Sequence, residues 1–165
     1  MDAIGCIKAR RSVRNYENRP IAKDIIEDII DCARLAPTAV NMQPWEFVVV
    51  TNSETKAKIA QAATYGKFIA DSGACIVVCV ERSSKFPLED CCAAVENILI
   101  SAKAHSLGSC WVAGWKRLYS GEISSLIGLP ENIEIVALIA VGYPKSEPKS
   151  PPKRKLSEVL HWEKF

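Results

Sequence analysis

The chain has 165 residues, a formal net charge of +2 and a 48% hydrophobic share. This length supports one domain, 1–165, with a real core. The apolar share excludes global disorder, and so small a net charge gives no electrostatic ground for a nucleic-acid partner. No apolar run is long enough to span a bilayer and the first residues lack a secretory pattern, so a cytoplasmic protein with no membrane partner is expected.

Residues 2–9 predict a short helix with Ile4 and Ile7 turned inward. Directly after it come Arg10, Arg11, Ser12 and Arg14, three guanidiniums and a hydroxyl within five residues. A guanidinium is a planar fork that matches phosphate oxygens two at a time. Three such forks repel one another, and an anion among them relieves the repulsion. Taken alone, the run also reads as a solvated helix end or a nucleic-acid patch.

Residues 22–36 predict an amphipathic helix with Ile25, Ile26, Ile29, Ile30, Ala33 and Leu35 on one face, stopped by Pro37. The loop that follows, Pro37, Thr38, Ala39, Val40, Asn41, Met42, Gln43 and Pro44, carries two side-chain amides. Asn41 and Gln43 each offer donors and an acceptor, which suits the edge of a flat heterocycle. The same residues also make an ordinary cap between helix and strand.

A strand is expected over 45–51, then a helix reaching 63, capped at Asn52 and Ser53. Residues 65–72 give at most a short helix. Residues 74–80 are almost continuously apolar, as in a strand covered on both faces. After a loop at 82–87, residues 89–107 predict a long, apolar and therefore central helix, with Gly108 as its stop. A strand at 109–113 ends in Ala113 and Gly114, where glycine permits a ligand or a turn to come close. A short helix at 120–127 and a last core strand at 134–143 follow. The proline-rich segment 145–155 reads as an extended surface arm ending in Lys153, Arg154 and Lys155, a second phosphate-ready cluster or a solvated tail. Residues 156–165 read as a short helical or irregular end.

Four strands alternating with helices indicate α/β or α+β with one layered core. The positive charge gathers at 10–19 and 145–155, two distant segments that could converge on one anion. Seven cysteines, an odd number without a C-x-x-C pair, lie mostly in apolar segments and read as buried, reduced thiols. Only two histidines are present, too few for the usual zinc ligands, and no metal site is expected. His105 reads as structural. Neither G-x-G-x-x-G nor G-x-x-x-x-G-K-[ST] occurs, and no hydrolytic triad stands out.

The ordered set R-R-S-V-R, P-T-A-V-N-M-Q-P-W-E-F, S-L-G-S-C-W-V-A-G, V-G-Y-P and K-R-K-L-S-E-V resembles the FMN-dependent nitroreductase family over nearly the whole chain. That resemblance implies an α+β sandwich, a mostly antiparallel sheet flanked by helices, in an intertwined homodimer whose arm 144–165 extends over the surface or the partner. It implies FMN at the subunit interface, with Arg10, Arg11, Ser12 and Arg14 from one subunit. Arg10 and Ser12 would serve the phosphate and ribityl chain, and Arg14 the pyrimidine side of the ring. Pro37, Thr38, Ala39 and Asn41 would come from the partner, and Gln43 would support that loop or touch the flavin. Ala113 and Gly114 would offer backbone N–H near the reactive nitrogen. Lys153, Arg154 and Lys155 would close on the phosphate.

The implied activity is reduction of nitroaromatics, quinones or a related small electron acceptor, in two half-reactions with NADH or NADPH as donor. The flavin carries that chemistry and no catalytic side chain is named. Alternatives are a flavin-binding or redox-sensing module and a specialised flavin enzyme with another electron donor. Two departures stand out: Ala113 occupies a position that is acidic in many relatives, and 60–72 and 114–122 are abbreviated. An open pocket is expected, with Tyr65, Phe68, Trp115 and Tyr119 either lining it or packing the core or dimer seam.

Overall fold

A computed structural model describes residues 2–165. Four strands, β1 (Trp45–Val50), β2 (Ala74–Glu81), β3 (Gly108–Ala113) and β4 (Ile133–Gly142), form one sheet in the order β1-β2-β4-β3. Every neighbouring pair is antiparallel. The central strands β2 and β4 are the Val- and Ile-rich runs, and both are buried along almost their whole length.

Successive side chains on a strand point to opposite faces, and the two faces feed two separate cores. Ile76, Val78 and Ile139 pack with Ile29 of α2 (Lys23–Arg34) and Ile98 of α4 (Pro87–Ala104). Cys75, Val77 and Leu138 pack on the other side with Ile59 of α3 (Ser53–Ala62) and Ile123 of α5 (Ser120–Leu126). Each such isoleucine contributes about 1.5–3 kcal/mol by leaving water. The first helix, α1 (Ala3–Ala9), packs on α4. His105 caps α4 and reaches Asp28 Oδ2 of α2 at 2.6 Å, so it is a structural link.

Three sequence expectations change. α1 buries Cys6, while Ile4 and Ile7 are 61% and 51% exposed, because the face that packs on α4 is the one that carries Cys6. Leu35 is 66% exposed: α2 ends at Arg34 and Leu35 is its cap, out of phase with the apolar stripe. α4 ends at Ala104, not 107. Ser106 takes the left-handed turn (φ 60°) and the Leu107 N–H donates to the Ala102 carbonyl. Gly108 is therefore the first residue of β3 instead of a helix stop.

β4 carries a bulge. Val78 faces Ala137 and Cys79 faces Ile135, which leaves Val136 as the extra residue. Its carbonyl turns to the end of β3 and accepts from the amides of both Gly114 and Trp115, each at 2.9 Å. The bulge thus ends the β3 pairing and starts the turn beyond it. After β4, residues 151–165 are exposed throughout and include one short 3-10 turn, Leu156–Glu158.

Candidate functional site

The arginine-rich segment leaves α1 and runs along the outer edge of β3. The Val13 N–H donates to the Ser109 carbonyl at 2.9 Å, and Ser12 pairs with Ser109 in a parallel bridge. Tyr16 locks the segment from below: its hydroxyl donates to the Val13 carbonyl at 2.6 Å and lies 3.3 Å from that of Ala140. Burial pushes the Tyr16 phenol well above its usual range. Gly108 makes the approach possible, because a Cβ there would sit 2.6 Å from Val13 Cγ2.

Two clefts open beside this segment and share Arg14. One is a basic groove of about 730 Å³ between Arg10, Arg11, Ser12 and Arg14 on one side and Lys149, Pro151 and Lys153 of the arm on the other. Glu147 is the one carboxylate in its lining. The other is an aromatic cleft of about 820 Å³, walled by Tyr65, Phe68, Trp111, Ala113 and Tyr119. The Arg14 guanidinium stands 6.0 Å from the centre of the Phe68 ring, in cation–π range. Cys110 is buried beside the same cleft; burial raises its pKa, against the lowering effects of Arg14, the Ser12 hydroxyl and Arg10.

The three arginines differ in what already holds them. Arg10 Nε lies 3.5 Å from Glu96 Oε1. Arg11 is spent on its surroundings, donating to the Lys8 and Arg10 carbonyls and from Nε to Ser150 Oγ at 2.8 Å. It ties the groove's two walls together. Lys153 reaches the groove, but Arg154 is turned to Glu158, with Nε 3.7 Å from Oε2 and a further bond to the Glu158 carbonyl. Lys155 is engaged through its backbone N–H, which donates to Glu158 Oε2 at 3.2 Å, and it does not line the groove.

The amide-bearing loop is held by α4 and lies apart from both clefts within one chain. Asp90, buried in the first turn of α4, accepts the Ala39 N–H at 3.1 Å. Thr38 Oγ1 accepts the Gln43 N–H at 3.1 Å, and Gln43 Nε2 donates to the Asn41 carbonyl at 3.3 Å. Val40, Asn41 and Gln43 all have positive φ. For the β-branched Val40, at φ 46° and 92% exposed, that is a strained conformation. Pro37 lies beyond the end of α2 at Arg34, and none of Pro37, Thr38, Ala39, Asn41 and Gln43 borders the arginine groove or the aromatic cleft.

The end of β3 corrects one expectation. Ala113 lines the aromatic cleft, but the Gly114 amide is taken by the Val136 carbonyl, and a Cβ at 114 would meet Ile135 Cγ2 at 2.6 Å. Gly114 is there for close packing on β4, so its N–H is not free for a ligand. Tyr65, Phe68 and Tyr119 line the cleft, whereas Trp115 packs against the α2–α4 core. Lys149, Lys67, Lys116 and Arg117 also border the two clefts, and sequence reasoning did not single them out. A larger cavity of about 880 Å³ lies elsewhere, between α2 and the start of α3. It holds none of the expected site residues. Lys56 there donates to the Ser72 carbonyl, and burial lowers its pKa.

A groove of cations joined to a flat-walled cleft suits an elongated ligand with an anionic end and a planar end. FMN has that shape, and the residues present fit it: forked donors for a phosphate, aromatic walls for a ring, and one arginine at the join. The sequence profile of the nitroreductase family matches residues 7–66 and 64–143. The chain is 40% identical over 152 residues to a candidate NADH dehydrogenase/NAD(P)H nitroreductase of Archaeoglobus fulgidus, covering 88% of this chain and 87% of that one. Among solved structures, a candidate NADH dehydrogenase/NAD(P)H nitroreductase of Bacteroides thetaiotaomicron superposes with a TM-score of 0.93 at 30% identity, covering 99% of this chain and 98% of that one. An FMN-dependent nitroreductase of Clostridium difficile superposes at 0.91 and 27% identity, with 98% and 99% covered. Fold and site define an oxidoreductase with the nitroreductase architecture. The chain belongs to the nitroreductase family.

Proposed function

We propose that this protein is an FMN-dependent NAD(P)H oxidoreductase that reduces nitroaromatics, quinones or a related small acceptor. It would work as a homodimer with FMN held between subunits. The observation that carries this reading is the position of Arg14, which borders both the basic groove and the aromatic cleft. Bound FMN supplies hydride transfer between a nicotinamide and an acceptor that occupy the cleft in turn.

The chain's own residues bind and orient. Arg10, Ser12 and Lys153 hold the phosphate and ribityl end, while Arg11 fixes the arm against the segment through Ser150. Arg14, which borders both clefts, would place a positive charge beside a bound flavin ring and tune its potential. The loop of Pro37, Thr38, Ala39 and Asn41, braced by Gln43, serves the ring of the second subunit's site. This assignment accounts for its distance from the clefts of its own chain and for the rigidity of its hydrogen bonds. Arg154 and Lys155 join the phosphate site only if the tail lets go of Glu158. The flavin would carry the redox chemistry, so no side chain is assigned here as an acid or base.

The test is the visible spectrum of the purified protein, recorded without air before and after addition of NADH or NADPH. A flavin band that bleaches with nicotinamide supports the reading. Properly folded protein that takes up no FMN would overturn it.

A further inference from the structure

The aromatic cleft is bordered by four cations, Arg14, Lys67, Lys116 and Arg117, and by no carboxylate. Some cations elsewhere on the surface are paired with carboxylates. Lys23, Arg34, Lys58, Arg82 and Arg154 each lie within 4.0 Å of an acidic partner. None of the four cleft cations has an ion pair among the described residues. Lys67 Nζ donates to the Gln61 carbonyl at 2.9 Å, and Lys116 Nζ stands 5.3 Å from the centre of the Trp115 ring. These neighbours position the charges without neutralising them.

The turn that carries Lys116 and Arg117 is also fixed. The Arg117 N–H donates to the Gly114 carbonyl at 3.1 Å, Ser120 Oγ donates to the same carbonyl at 2.5 Å, and the Tyr119 hydroxyl bonds the Ala113 carbonyl. Lys116 itself is held at φ 51°, a conformation an unbranched residue adopts only at a cost. Two cations are thus presented at the cleft on a braced turn, facing a third on the short 3-10 turn Lys67–Ile69. Like charges gathered around a low-dielectric wall favour an anion.

We propose that the cleft selects planar aromatic ligands that carry a carboxylate, sulfonate or phosphate. The ligand's ring shares the aromatic cleft with the flavin, and its anionic group goes to Lys67, Lys116 and Arg117. This rests on the reading of the cleft as the place where donor and acceptor meet the flavin. The anionic group can belong to the acceptor or be the 2′-phosphate that distinguishes NADPH from NADH, and the experiment separates the two.

FMN-loaded protein is titrated with 4-nitrobenzoate and with its neutral near-isostere 4-nitrobenzamide, at low and at moderate salt, by calorimetry. The benzoate is expected to bind about ten-fold more tightly at low salt, with that advantage falling several-fold as salt screens the cations. The double variant Lys116→Glu/Arg117→Glu should abolish the advantage, with flavin absorbance as the check that it is folded and loaded. The salt dependence of the unaltered protein tests the same point if the variant fails to fold. In parallel, NADPH and NADH are compared. If the variant weakens NADPH alone, the anionic group is the donor's; if it weakens 4-nitrobenzoate, the acceptor's. Equal affinities for benzoate and benzamide together with equal affinities for NADPH and NADH overturn the proposal. Failure to load FMN at all is seen before any ligand is added, and would remove the functional reading and this proposal with it.

Discussion

Val13 lies so close to Gly108 that a Cβ on Gly108 would meet its Cβ at 2.8 Å as well as its Cγ2 at 2.6 Å. Val13 cannot back away, because its own N–H is bonded to Ser109 and its carbonyl to the Tyr16 hydroxyl. The contact sets how near the arginine-rich segment runs to β3. Gly108→Ala is therefore expected to push that segment outward and loosen the groove. FMN affinity should fall about ten-fold or more, while overpacking costs about 1–3 kcal/mol of stability. Flavin fluorescence titration beside thermal melting checks this; an unchanged flavin affinity would show that the segment's position does not set the site.

Arg10 and Arg11 are neighbours in sequence and differ in role. Arg11 is already satisfied by two carbonyls and Ser150, whereas Arg10 has one contact at 3.5 Å to Glu96. A hydrogen bond to a charged group contributes about 1.5–3 kcal/mol, so Arg10→Ala should lower FMN affinity about 10- to 100-fold. Riboflavin, which has no phosphate, should bind the variant as it binds the parent protein. Arg11→Ala should weaken FMN by less than Arg10→Ala does. Parallel titrations with the two flavins decide it, and an equal loss for FMN and riboflavin would place Arg10 away from the phosphate.

Much of this architecture is legible in the residues. The unbroken apolar run of β2 announces a strand buried on both faces, and the isoleucine spacing of α2 gives its inner face. The arginine cluster and the proline-rich basic arm read as two walls of one anion site, and they line one groove. What stays hidden depends on contacts between distant residues. Gly108 looks like a helix stop until Val13 is seen against it, and Gly114 looks like a ligand contact until the Val136 bulge claims its amide. Arg154 looks as available as Lys153, because only the folded tail brings Glu158 to it. Lys67, Lys116 and Arg117 are unremarkable in sequence and become a cluster only through two separate turns.

Asp90 couples α4 to the amide-bearing loop through a single bond to the Ala39 N–H. Asp90 is 5% exposed and sits in the first turn of α4, where a carboxylate also favours the helix dipole. Asp90→Ala removes both interactions and leaves the Ala39 amide without its acceptor, at a cost of about 1–3 kcal/mol. At about 2–4 °C per kcal/mol for a chain of this size class, the melting temperature should fall by several degrees. Asp90→Asn keeps an acceptor and should recover part of that loss. If the loop serves the second subunit's flavin, Asp90→Ala also weakens FMN binding, and a loss of stability with full flavin affinity would separate the loop from the site.

Cys75, Cys79 and Cys91 are buried, and desolvation pushes each thiol up to about 12 from its usual value near 9. These are acids whose ionisation is harder in the folded chain than in the unfolded one. Below pH 9 both states keep the proton and the thiols contribute no pH dependence. Between about 9 and about 12 the unfolded chain releases protons that the folded chain retains, so folding stability falls as pH rises, by about 1.4 kcal/mol per pH unit for each thiol within that window. Urea midpoints should accordingly hold steady from pH 7 to 8.5 and drop steeply above 9. Replacing Cys75 by alanine should make the alkaline limb shallower by one thiol's share. A limb of the same slope in Cys75→Ala would mean that this thiol ionises alike in both states.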